Sequence, residues 1–202
     1  MGAGAPALRR GVRFLRCLVP RARGRRGRSR DRRCVLGEWD RAAPARMNIA
    51  VVPEVEAVID EATATIEALD AKAWERTCEA ECWSVAVTAL HIALGLRRQA
   101  SFIALARDGK APFVFDWEAT DALNARVAAR GVPTKEAVRR ELRKGRSRLL
   151  RLLDVMSEAQ LRRVAVTYQG HEFDVERIVR RIVLPHTRGH LASIRAVARG
   201  SV

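Results

Sequence analysis

Apolar residues recur at steps of three and four along residues 53–199, the period of helices with one buried face. After Pro53, which suits a first helical turn, the stripe Val55, Val58, Ile59, Ala62, Ile66 and Leu69 predicts helix one. A polar stretch, "AKAWERTCEAE", separates it from "VAVTALHIALGLRRQASFIALAR", where Ser84 is the expected N-cap and Trp83 an N-terminal staple. "DGK" ends this second helix. In "APFVFDWEATDALNARVAARG", Pro112 and the aromatics predict a crossing loop, followed by a short helix closed by Gly131.

Helix three follows Thr134 and carries Val138, Leu142, Leu149, Leu152 and Leu153. A turn is expected at Gly170, with short extended pieces around "VAVTY" and "HEF". From Asp174, an N-cap candidate, the fourth helix runs to Arg199 before Gly200 stops it. The expected fold is all-α: a four-helix bundle with one long connection between helices two and three.

On helix four the stripe reads Val175, Val179, Ile182, Val183, His186, His190, Ile194 and Val197, so two histidines occupy core positions. Pro185 cannot donate to the carbonyl of Arg181, and a kink is expected just before them. On helix two, His91 falls between Val87 and Leu94 at the same spacing. A pair at i and i+4 stacks two imidazoles on one face, where they can share a metal ion. A lone inward histidine is more often a satisfied core residue, but each of three buried imidazoles needs a partner, and one cation serves all three. His171, outside any helix, reads as an exposed loop residue, with a proton shuttle as the alternative.

Composition changes this picture mainly at the N-terminus. The chain has 202 residues and a net charge of +15, but residues 1–46 hold 14 arginines and three acids, leaving +4 for the rest. Those 46 residues show little apolar periodicity and are expected to be a disordered basic leader, with residues 47–202 as the folded domain. A nucleic-acid tail, an organelle transit peptide and upstream sequence joined ahead of a start at Met47 all fit. The last is favoured because ordinary composition resumes at Met47. The Arg and Lys run "RRELRKGRSRLLR" has leucines at helical spacing and reads as a solvated face, so no specific nucleic-acid binding is expected of the body.

No apolar run approaches the roughly 18 residues of a membrane span, and with no signal peptide the expected location is the cytoplasm. Cys78 and Cys82, in "CEAEC", are read as ordinary loop residues, with a metal pair as the alternative. A homodimer is expected because bundles of this size often leave one apolar face partly covered.

Residues 53–199 resemble the DinB/YfiT-like superfamily of four-helix bundles, which includes thiol-dependent maleylpyruvate isomerase-like and DfsB/ClbS-like branches. The resemblance lies in Trp83-Ser84, His91, the His186-x-x-x-His190 pair and the segment "FDWEATDALNA" with Trp117, Asp121 and Asn124. It implies that His91, His186 and His190 bind one divalent metal ion, and nitrogen ligands alone leave Zn, Ni, Fe and Mn open. Trp117 and Asn124 become candidates for binding a small-molecule substrate. Arg188 is a candidate for pairing with an anionic one, against the reading of a solvated arginine.

Three imidazoles leave a coordination position open, as catalytic metals require. The implied activity is a metal-dependent thiol transferase, using a low-molecular-weight thiol on a small electrophile in stress or detoxification. A metal-dependent hydrolase and a non-catalytic sequestering protein are the alternatives. No acid lies between the last two histidines, so the metal's charge has no local offset in this reading, and no carboxylate is assignable as a base.

Overall fold

The computed structural model describes residues 51–200, which are mostly helical with two small sheets. The expected leader and Met47 lie outside the described residues. Helix α1 (Val51–Ala68) buries Val55, Val58, Ile59, Ala62 and Ile66, the stripe expected of it. The polar stretch beyond it is structured: α2 (Ala71–Glu75) is capped by Asp70, and Trp74 Nε1 donates to the Pro133 carbonyl at 2.8 Å. Strands β1 (Thr77–Cys78) and β2 (Trp83–Ser84) then form an antiparallel pair that returns the chain to α3.

Helix α3 (Val85–Arg107) starts where Ser84 Oγ accepts from the Val87 N–H at 3.2 Å. Its burial is not confined to one stripe, because α5 (Lys135–Asp154) and α8 (Leu184–Arg199) pack against it on different sides. Helix α1 also contacts both α5 and α8. The α3–α5 approach is close: a Cβ added at Gly145 would lie 2.9 Å from Leu96 Cβ and 3.1 Å from the Ala93 carbonyl oxygen. The buried faces of α5 carry Val138, Leu142, Leu149, Leu152 and Leu153, as the spacing predicts.

The all-α expectation needs correcting in the connections. After α3, strand β3 (Phe113–Val114) pairs in parallel with β4 (Val164–Tyr168), and β5 (His171–Asp174) pairs antiparallel with β4. The β4–β5 turn uses Gln169 and Gly170 at φ 47° and 77°, the left-handed pair that a tight hairpin requires. Helix α4 (Trp117–Ala128), capped by Asp116, occupies the crossing segment, and α6 (Glu158–Leu161) carries a Ser157–Gln160 capping box. Strands β4 and β5 are the extended pieces expected at "VAVTY" and "HEF", whereas the two-residue strands β1, β2 and β3 are too short to display a period of two.

The last helix is continuous but not uniform. Asp174 caps α7 (Val175–Ile178), a π-helical turn spans Val179–Val183, and α8 follows with Pro185 in its first turn. Leu184 donates its N–H to the carbonyl of Val179, five residues back. The wider turn accommodates the donor that Pro185 lacks within the helix, immediately before the histidines.

No helix among the described residues is long and apolar enough to cross a membrane.

Candidate metal centre

His91 comes from the second turn of α3, and His186 and His190 from successive turns of α8. All three are buried, at 2%, 2% and 1% exposure. Their ring centroids are 4.9 Å (His91 to His186), 4.8 Å (His91 to His190) and 4.7 Å (His186 to His190) apart. His186 Nε2 lies 3.0 Å from His91 Nε2, and each histidine offers a ligand atom within 4.8 Å of the others. Among the described residues this is the group of three or more metal-ligating side chains that converge on one point.

The space for this convergence depends on Gly95, one turn beyond His91. A Cβ there would meet three ring atoms of His186, the nearest, Cε1, at 2.7 Å. Burial is the main cause holding the His186 pKa well below the ordinary imidazole value, reinforced by His91, His190 and the half-buried Arg98. The neutral imidazole that results is the form that binds a cation.

An acid does reach the site, against expectation. Glu81 Oε1 lies 2.8 Å from His190 Nδ1, and its side chain is only 9% exposed. With Nδ1 donating to the carboxylate, Nε2 is the atom that would ligate, and the carboxylate raises its basicity. Glu81 therefore supplies the local negative charge missing from Thr187, Arg188 and Gly189. Glu81 sits in the β1–β2 turn, in "CEAEC", where no helical spacing in the sequence links it to His190. Cys82, at φ 55°, helps turn the chain there, and its N–H donates to the Cys78 carbonyl at 2.9 Å.

Trp83, half-buried on β2, lies against His91 with ring centroids 5.2 Å apart. It therefore contacts the site as well as preceding the Ser84 cap. Thr187, between the two α8 ligands, is fully buried, and its hydroxyl donates to the Val183 carbonyl at 3.0 Å, within the π-helical turn.

The other candidates have different surroundings. Trp117 belongs to an aromatic cluster with Phe115 and Tyr168, at 4.9 and 6.2 Å. Asn124 is buried on α4 with its Oδ1 unpartnered among the described residues. No ring contact or hydrogen bond joins Trp117 or Asn124 to the histidines among those residues. Arg188 is exposed on α8 and His171 is exposed at the start of β5. Cys78 is buried, which pushes its thiol pKa up, whereas Cys82 is exposed. That difference in placement argues against a cysteine metal pair.

No family model, curated protein or solved structure matches this chain.

Proposed function

We propose that His91, His186 and His190 hold one divalent metal ion, and that the protein uses it to activate a small nucleophile against a small electrophilic molecule. The observation that carries this reading is the burial of three imidazoles with convergent ligand atoms, one of them oriented by a buried carboxylate. Neutral His186, the His190–Glu81 pair and the seat at Gly95 all fit a cation site. Such an ion would lower the pKa of a thiol or a water molecule held at an open position. The four long helical runs and the residues shared with the DinB/YfiT-like superfamily support a four-helix bundle of that kind, with thiol transfer as the reaction.

Glu81 gives a specific reason to keep hydrolysis as the second reading. One of its oxygens, Oε2, is buried without a hydrogen-bond partner among the described residues, so a base sits one histidine away from the metal position. Sequestration without turnover is the third reading, and the burial of the triad is compatible with it.

Elemental analysis of protein purified without an affinity tag, compared with the His190→Ala variant, tests the metal. About one equivalent of Zn, Ni, Fe or Mn is expected in the wild type and little in the variant. Equal contents would refute the site. Incubating the loaded protein with thiols and electrophiles, and separately with hydrolysable esters and amides, then separates the two chemistries.

A further inference from the structure

Gly95 lies in the interior of α3, a place where glycine weakens a helix relative to alanine. No positive φ demands it there. What the missing methyl group makes room for is one side chain: a Cβ would stand 2.7 Å from Cε1, 3.3 Å from Nε2 and 3.4 Å from Nδ1 of His186. The ring cannot simply swing away, because it is buried between His91 and His190, with centroids 4.9 and 4.7 Å away. Gly95 therefore determines how near His186 comes to α3, and so its distance from His91.

That distance matters for the metal. In the metal-free fold His186 Nε2 and His91 Nε2 stand 3.0 Å apart, close enough for one imidazole to hydrogen-bond the other, so a shared ion would take the place of that contact. A side chain at position 95 would push His186 away from this place and from its partners in the triad.

We propose that Gly95 is a positioning residue: the space it leaves seats His186 beside His91, and any side chain there would displace one ligand of the triad and weaken the hold on a divalent ion. The proposal rests on the metal reading above. It makes the glycine a determinant of metal affinity, although it would touch no metal itself.

The test is a double-mutant cycle on the full chain combined with titrations of Ni and Zn. In metal-free protein, Gly95→Ala should lower the melting temperature by roughly 2–8 °C, through overpacking against His186. In a His186→Ala background the same change should be neutral or stabilising, because the clash is gone and alanine is the better helix former. Gly95→Ala should weaken binding of both Ni and Zn about tenfold or more, because it displaces a ligand common to either ion.

Equal melting shifts in both backgrounds would overturn the proposal. If Gly95→Ala alone fails to fold, recovery of folding in the double variant supports the contact, and failure of both overturns it. Wild-type protein that binds none of these ions would bring down the metal reading and the proposal together. Tight binding indifferent to Gly95→Ala would overturn only the proposal.

Discussion

Helix α3 is approached closely on two sides, and in each case a glycine permits it. Toward α5, Gly145 comes against Leu96, the Ala93 backbone and the aliphatic stem of Arg97. Toward α8, Gly95 receives the imidazole of His186. The first contact excludes water from apolar surface and stabilises the fold. The second brings three imidazoles and a carboxylate out of water, which opposes folding unless those groups find partners. One device thus serves stability at one interface and ligand placement at the other, and stability and metal affinity should be separable by mutation.

Ligand loss is the largest expected effect. His91→Ala leaves two ligands on one helix, and metal affinity should fall by orders of magnitude, measured by competition with a chromogenic chelator. On the opposite side, Leu149→Ala should destabilise the fold by about 2–5 kcal/mol in chemical denaturation. Its metal affinity, measured where the variant is folded, should stay close to wild type. Parallel losses of stability and affinity in both variants would mean that the two interfaces form a single cooperative unit, against the separation argued here.

Glu81 sharpens the comparison at the α8 side. Glu81→Gln removes the negative charge beside His190 and should weaken metal binding roughly 10–100-fold. A change below twofold would mean that the 2.8 Å contact orients nothing of consequence.

The relative visibility of these parts in the sequence follows from their physics. The stripes of α1, α3, α5 and α8 were legible because each buries side chains repeated over several helical turns, and His91, His186 and His190 were legible because they occupy those stripes. Glu81 was not, since its contact with His190 depends on a turn that brings together positions 109 residues apart. Gly95 was equally silent, because a glycine in a helix reads as a weak point until the side chain opposite it is known. The π-helical turn was half legible: Pro185 announced a disturbance, but where the extra residue would be absorbed depended on packing that the sequence does not display.

A pH effect of smaller size should distinguish the sides again. His186 titrates well below its ordinary value in the fold, so between its lowered folded pKa and the unfolded pKa of about 6.5 the unfolded chain holds a proton that the folded chain refuses. Stability of the metal-free protein should therefore decline as pH falls below about 6.5, by up to about 1.4 kcal/mol per pH unit from this group. The decline should be reduced in His186→Ala and unchanged in Leu149→Ala. An identical slope in His186→Ala would assign the effect to other groups.

The smallest effect is expected at Arg188, which follows the buried His186 and Thr187 in sequence but is itself exposed. Exposed helix positions without a special contact usually change stability by less than about 0.5 kcal/mol. Arg188→Ala should accordingly leave both the melting temperature and the metal affinity near wild type, because its side chain stands on the solvent side of α8 while the ligands stand on the α3 side. Binding of an anionic substrate is the one measurement in which it could still register. A loss there, with metal affinity intact, would show that the substrate extends beyond the buried triad to the outer face of α8. Unchanged binding would leave the half-buried Arg98, whose charge already acts on His186, as the candidate for that pairing.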